Sequence, residues 1–263
     1  QMSWPEAAVE RSSPGGSGES ALSAQAPGNP LWALAVVGFA VFVAADDLTV
    51  VTTMLRPIIS DLGLALPDGL DEAAWVVNSY LIAFIAVMPI AGRLSDVIGR
   101  RRTLLMAYAI FTVGTIVIAL STTLGPFLVG RVLTAIGGGA MVPVALAVVG
   151  DVYHDKRRAK ALGTLGAIET LGWVWGPLYG AMLVRFFDWR WQFWLNVPMA
   201  LIGMALVWFV LADHDPAASR STDASTTKDA GQRHSQVDWW GAAGVTAVLA
   251  GLNVALLKHW PRA

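Results

Sequence analysis

The sequence predicts an all-α protein that crosses a membrane several times. Apolar residues make up 55% of its 263 residues and charged residues only 14%, compared with about 25% charged residues in soluble domains. The apolar residues are concentrated in seven runs, and each run approaches the ~20 residues that a helix needs to cross a bilayer. Short polar segments separate these runs, as expected for the loops of a polytopic membrane protein.

The predicted segments follow one another along the whole chain. Residues 1–30 are rich in Ser, Gly and Pro and are predicted to form a disordered cytoplasmic tail. Residues 31–212 form a bundle of six spans, 213–237 a polar cytoplasmic linker, and 238–263 carry a seventh span. The seven spans are placed at residues 31–55, 73–92, 103–120, 126–149, 161–184, 191–212 and 239–257. Because the chain starts with Gln1 and stops just after an apolar run, we expect it to be a fragment.

Lysine and arginine residues predict the orientation of the spans. The loops after spans two and four are strongly basic, and the other short loops carry fewer basic residues. The basic residues of the two loops are Arg93, Arg100, Arg101, Arg102, Lys156, Arg157, Arg158 and Lys160. Since basic loops stay on the cytoplasmic side, we expect a cytoplasmic N-terminus in a bacterial inner membrane.

Several function classes have no support in this sequence. The chain has no cysteine, which excludes thiol catalysis and cysteine metal sites. It also lacks a glycine-rich phosphate loop with a lysine, so ATP-driven transport is not predicted. We expect no enzyme activity, no cofactor, no metal and no nucleic-acid partner.

The polar segment between spans two and three has a specific pattern. It reads G-x-L-x-D-x-x-G-R-R and is followed by a third arginine. The fixed positions and the basic run are Gly92, Asp96, Gly99, Arg100, Arg101 and Arg102. The pattern resembles the cytoplasmic signature of major facilitator superfamily transporters, and that resemblance implies a gating loop. An ordinary positive-inside loop is the alternative, although it needs arginines only.

Two adjacent acids, Asp46 and Asp47, lie inside the first predicted span. Acids within a span are costly and mark functional sites, unless they sit near the surface and are simply solvated. The D-x-T-V-V pattern from Asp47 resembles the first span of fourteen-span drug:proton antiporters. The segment 52–56 departs from that family and ends in Arg56, and this ending is more similar to the mycobacterial triacylglycerol-exporter branch.

The fourth predicted span carries Arg131 in a stretch that resembles the R-x-x-Q-G-x-G motif of the same family, with Thr134 where glutamine is common and Gly138 among the motif's glycines. Its depth is similar to that of Asp47, so we expect the two to pair and to couple protons to transport. The side chain of Asp46 points about 100° away from that of Asp47 around the helix axis, so Asp46 is expected to contribute less. The alternative is that the long side chain of Arg131 reaches the membrane surface.

The fifth predicted span contains a glycine-rich pattern that resembles the antiporter motif of the superfamily. Its residues are Gly163, Gly172, Gly176, Pro177 and Gly180. Small residues four apart let another helix come close, which is also common in membrane proteins without this function. Glu169, three residues before Gly172, is expected to face protein or a cavity and is a second candidate for proton coupling.

The resemblance covers residues 31–258 and implies a six-helix major facilitator bundle plus one extra span. It implies a proton-coupled exporter of lipophilic or amphipathic small molecules, of the multidrug efflux type, driven by the proton gradient. One alternative is a lipid exporter that works with a periplasmic lipoprotein. Another is a transport-incompetent module that needs a separate C-terminal half. The expected contacts are the lipid bilayer, protons, a small lipophilic substrate and that missing half.

Overall fold

The computed structural model describes residues 29–63 and 70–211, together with the single residue Gly244. The described chain is all-α, as predicted, and contains six helices and no strand. The helices are α1 (Pro30–Asp61), α2 (Leu70–Ile98), α3 (Arg100–Leu120), α4 (Leu124–Val152), α5 (Asp155–Phe186) and α6 (Arg190–Val210). The predicted linker, the seventh span and most of the predicted tail lie outside the described residues.

Five of the six helices are longer than the predicted spans, and α6 ends at Val210, before the predicted end of its span. Helix α1 begins at Pro30, where Asn29 accepts a hydrogen bond from the amide of Leu31, and it continues past the predicted end to Asp61. Hydropathy marks only the apolar middle of a span, whereas the helical backbone continues into the polar region at the membrane surface. The predicted span boundaries were therefore too narrow at most helix ends.

The predicted loop at residues 92–102 was wrong in its extent. Helix α2 includes Gly92 and Asp96 and ends at Ile98, and α3 begins at Arg100. Gly99 alone turns the chain, with a φ of 98°. This left-handed conformation is open to glycine and costly for other residues, which explains why a single residue makes the turn.

Five of the six helices are long and apolar enough to cross a membrane, and α5 is the exception. Glycines, threonines and Glu169 interrupt its apolar sequence, and its first turns carry several basic residues. Helix α5 nevertheless packs along the buried helix α1. In lipid, such packing depends on close backbone approach rather than on apolar side chains, so low apolarity does not keep α5 out of the bundle.

Helix α1 is at the centre of the bundle and contacts α4, α5 and α6. Helix α3 packs between α4 and α6, and α2 packs on α4. Two hydrophobic clusters fill the interior. One cluster includes the buried residues of α1 between Val36 and Ala44, and the other includes the buried residues of α1 from Val50 onward. Asp46 and Asp47 therefore lie at the boundary between the two clusters.

At each end of the bundle, polar contacts connect neighbouring helices. At the basic end, defined by the start of α1 and the α2–α3 and α4–α5 turns, the Tyr153 hydroxyl donates to the Pro30 carbonyl at 2.8 Å. At the opposite end, Arg190 at the start of α6 pairs with Asp61 of α1 at 2.5 Å and donates to the carbonyl of Ser121, which follows α3, at 2.9 Å. The helices therefore alternate in direction across the membrane.

Candidate functional site

The centre of the site is a buried ion pair between α1 and α4. The Arg131 guanidinium lies 3.2 Å from the Asp47 carboxylate and also donates to the Asp47 carbonyl at 3.4 Å. Asp47 is 0% exposed and Arg131 is 1% exposed. The structure thus brings these two predicted residues together, and the burial of Arg131 excludes the alternative in which its side chain reaches the surface.

An aromatic ring covers the guanidinium on its other side. The Tyr80 ring of α2 lies 3.9 Å from the Arg131 guanidinium carbon, which is the geometry of a cation–π contact. Arginine stays charged in proteins and stacks on aromatic rings. Three helices, α1, α2 and α4, therefore hold one permanent positive charge inside the bundle.

Two amide side chains of α6, which the sequence analysis did not predict, lie beside the two acids. Gln192 donates from its Nε2 atom to Asp46 at 3.1 Å and to the side-chain oxygen of Asn196 at 3.2 Å. Asn196 donates in turn to Asp47 at 3.3 Å. Their segment resembles the W-R-W-x-F-x-x-N-V-P entrance of span six in the superfamily and also fits an aromatic belt at the membrane surface. The N-V-P part of that pattern was a signal for Asn196.

Both acids are buried, but they face different neighbours. Asp46 is 3% exposed, and its carboxylate meets Gln192, whereas Asp47 meets Arg131 and Asn196. The solvated-acid alternative is therefore excluded. We call Asp46, Asp47, Arg131, Gln192 and Asn196 the polar cluster. With both acids ionised it carries two negative charges and one positive charge.

The glycines of α5 bring that helix against α1 beside the polar cluster. A Cβ atom added at Gly176 would lie 2.5 Å from the Thr49 hydroxyl and 3.0 Å from the Asp46 carbonyl oxygen. Gly172 and Gly180 are equally close to α1, whereas Gly163 has no neighbour within 4 Å. Three glycines of the predicted motif therefore form the contact, and Gly163 stands apart from it.

The other predicted candidates lie away from the cluster. Glu169 is partly buried on α5 and makes no side-chain hydrogen bond within the described residues. At the basic end, Arg100 pairs with Asp96 at 2.5 Å and with Asp151 of α4 at 3.0 Å. Arg101 donates to the Trp208 carbonyl of α6 at 3.0 Å, and Arg102 is exposed. The predicted gating residues thus join α2, α3, α4 and α6 at one end.

Comparison with known proteins places this architecture in a family. The family model of the Major Facilitator Superfamily matches residues 37–260. The chain belongs to this superfamily. It is therefore a multi-pass membrane protein of a transporter family rather than an enzyme, and the lipid-facing bundle and its buried charges fit that class.

Similar curated proteins are transporters from mycobacteria. The chain is 38% identical to a triacylglyceride transporter of Mycobacterium tuberculosis over 195 residues, which are 73% of this chain and 37% of that protein. It is 40% identical to a triacylglyceride transporter of Mycobacteroides abscessus over 187 residues, 70% of this chain and 36% of that protein. The chain thus spans little more than a third of the length of these relatives.

Solved structures share the fold at low sequence identity. A xylose transporter from E. coli in a partially occluded, inward-open conformation gives a TM-score of 0.65 at 17% identity, covering 88% of this chain and 57% of that one. The human organic anion transporter TETRAN gives 0.58 at 20% identity, covering 70% and 48%. These similarities show the fold alone, and each match again spans about half of the other protein.

Proposed function

We propose that this chain supplies the N-terminal bundle of a proton-coupled exporter that moves lipophilic molecules by alternating access. The observation that carries the proposal is the polar cluster, in which two acids and one arginine are buried between α1, α4 and α6. Buried ionisable groups are costly in a membrane bundle and are retained where ions or substrates move. A proton gradient is the driving force that such carboxylates can use directly.

The charge of the polar cluster supplies the coupling. With both acids ionised, the cluster has one net negative charge, and one bound proton makes it neutral. A conformation that exposes the cluster to water stabilises its charged form, whereas a closed conformation stabilises its neutral form. Because a ligand favours the conformation that binds it better, a proton taken up on one side favours the closed conformation, from which the bundle can open to the other side.

A lipid of the triacylglyceride type is the leading substrate class. The support comes from the names of the mycobacterial relatives and from their 38–40% identity across the bundle. The glycine contact of α5 with α1 resembles the antiporter motif and supports export rather than import. Amphipathic drugs are the second class, and a periplasmic lipoprotein that receives the lipid is a further proposed partner.

The proposal requires a second bundle opposite this one. Alternating access works by rocking one bundle against another around a central site, and this chain spans only about 37% of its triacylglyceride-transporter relatives. The cluster would then lie on the wall of a cavity shared by both bundles. The proposed location is the bacterial inner membrane, with the basic end in the cytoplasm.

The test is transport by the complete gene product in vesicles. An imposed pH gradient is expected to drive a fluorescent triacylglyceride across the membrane, and the double variant Asp46→Asn/Asp47→Asn is expected to abolish gradient-driven movement. Asp155→Asn, an exposed carboxylate outside the cluster, is the matched control and should transport normally. A transport rate that does not depend on the pH gradient would contradict proton coupling. A double variant whose transport still depends normally on the gradient would also contradict it. Ethidium movement without lipid movement would favour the drug class.

A further inference from the structure

The two acids of the polar cluster have unequal hydrogen bonding. Asp47 has a donor at each oxygen, since Arg131 reaches one oxygen at 3.2 Å and Asn196 the other at 3.3 Å. Asp46 has a single donor, Gln192, at its Oδ2 atom. Its Oδ1 atom is buried without a partner among the described residues. Asp47 is therefore equipped to be a carboxylate, and Asp46 is not.

Gln192 has the complementary deficiency. Its Nε2 atom uses both of its hydrogens, on Asp46 and on Asn196. Its Oε1 atom is buried and has no donor within the described chain. Rotating the amide by half a turn does not help, because Oε1 would then face two acceptor oxygens. Two buried acceptors, Asp46 Oδ1 and Gln192 Oε1, thus lie on side chains that already share one hydrogen bond, and one hydrogen between them is missing.

We infer that Asp46 is the acid that takes up and releases the transported proton, that Gln192 is the residue that holds this proton in place, and that Asp47 stays ionised beside Arg131. On uptake, an O–H bond forms at Asp46 Oδ1 with a proton from water, and the carboxylate becomes a neutral acid. The new O–H donates to Gln192 Oε1 while Gln192 Nε2 continues to donate to Oδ2. Release breaks that O–H bond and returns the proton to water.

Charged and titratable groups reach Asp46 from each helix that packs around it. Asp47 adjoins it on α1, and Arg131 of α4 neutralises Asp47. Tyr80 of α2 stacks on Arg131, Tyr179 and Glu169 lie on α5, and α6 presents the neutral amides. One proton makes the polar cluster neutral, and the missing hydrogen bond places that proton on Asp46 rather than on Asp47.

The position of Asp46 also links the proton to helix packing. Its backbone lies against α5, where added Cβ atoms at Gly172 and Gly176 would approach the Asp46 nitrogen and oxygen at 3.4 and 3.0 Å. Its side chain binds α6. A change of charge at Asp46 therefore acts on α5 and α6, whereas Asp47 contacts α4 and α6. This inference deepens the proposed function by naming the residue that carries the proton.

Infrared difference spectroscopy of the purified complete gene product tests the assignment without transport. A pH titration is expected to show the C=O stretching band of one buried neutral carboxyl group, and Asp46→Asn should abolish that band. Gln192→Leu should keep the band but shift it to higher frequency, because the carbonyl loses its hydrogen bond. Asp61→Asn and Asp96→Asn, which change partly exposed carboxylates, are controls and should leave the band unchanged.

Several results would overturn the inference. A band that survives Asp46→Asn, or that does not move in Gln192→Leu, assigns the proton elsewhere. A carboxyl band that does not change with pH but changes when Na⁺ is added identifies a sodium site instead. If Asp46→Asn does not fold, the shift in Gln192→Leu decides alone. An Asp46 band in a protein without pH-driven transport would refute the proposed function and leave the inference intact, whereas pH-driven transport with a band that belongs to Asp47 would do the reverse.

Discussion

At the scale of single residues, the main feature is a charge pair placed where water is absent. Arg131 and Asp47 are both almost fully buried, so each removes the uncompensated charge of the other. The net contribution of such a pair to stability is small, but the loss of one partner leaves a charge in a low-dielectric interior. The pair is therefore best tested by comparing single with double substitutions.

We predict that Arg131→Met lowers the free energy of unfolding by about 3–5 kcal/mol, because it leaves Asp47 charged and unpaired. The double variant Arg131→Met/Asp47→Leu should recover most of that loss. The measurement is unfolding of the purified chain by SDS titration in detergent micelles. Arg102→Met, which changes an exposed arginine, is the control and should stay within about 0.5 kcal/mol. A double variant that is no more stable than Arg131→Met would contradict the pairing argument.

At the scale of helices, backbone contact sets the position of α5. Its glycines allow α5 to approach α1 so closely that an added methyl group meets the Thr49 hydroxyl and a main-chain oxygen. Small residues at a helix interface act in this way in lipid, where burial of apolar groups gives no advantage over contact with lipid tails. The distance between α5 and α1 is therefore fixed at the level of Asp46.

We predict that Gly176→Ala destabilises the bundle by about 1–3 kcal/mol, the usual cost of an overpacked interior. Gly163→Ala adds the same methyl group on the same helix where nothing lies within 4 Å. This control should be neutral or stabilising by up to about 1 kcal/mol, since alanine favours a helix over glycine. Thermal unfolding of both variants in detergent is the measurement.

Removal of the Thr49 hydroxyl provides the reciprocal test. Thr49→Ala combined with Gly176→Ala should restore part of the lost stability, because the atom that lies 2.5 Å from the added Cβ is gone. Recovery stays incomplete because the Asp46 carbonyl oxygen remains at 3.0 Å. Equal stability of the Gly163→Ala and Gly176→Ala variants would show that α5 does not depend on this contact.

At the scale of the whole molecule, charge is distributed unevenly between the two ends. The α2–α3 and α4–α5 turns bring most of the basic residues to one end, and the opposite end has Arg190 paired with Asp61. Basic residues near the membrane favour the cytoplasmic side. One labelling position at each end of the bundle is therefore enough to test its orientation in the membrane.

We predict that Lys156 lies in the cytoplasm and that Ser60 lies outside. The sequence has no cysteine, so Lys156→Cys and Ser60→Cys each create a unique thiol at an exposed position. A membrane-impermeant maleimide added to intact spheroplasts should label Ser60→Cys at once and Lys156→Cys only after permeabilisation. The reverse pattern would invert the proposed orientation.

We also predict that the 263-residue chain alone shows no gradient-driven transport. A single bundle supplies one wall of a central cavity, and rocking requires two. The measurement is efflux from vesicles that contain the purified chain and an imposed pH gradient, with empty vesicles as the control. Uphill movement of a lipid or drug by this chain without a partner would overturn the proposed two-bundle mechanism.

Much of this architecture follows from the sequence, and the remainder has identifiable causes. Apolar runs predicted the spans, and equal depth predicted the pairing of Asp47 with Arg131. The sequence did not reveal Gln192, because a neutral amide near the end of a tryptophan-rich span carries no charge that would mark it as a candidate site. It also overestimated the turn at 92–102, since polar residues at a membrane surface are compatible with helix as well as loop. Only a spatial arrangement could show that Asp46 has one donor and Asp47 has two.

The contacts of Arg190 have a mechanical consequence. This single side chain contacts Asp61 at the end of α1, the residue that follows α3, and Asp188 just before its own helix α6. Because one side chain contacts three helices at this end of the bundle, a displacement of the end of α1 would also act on α3 and α6. We expect a shift of α1 at Asp46 to reach both helices through this contact.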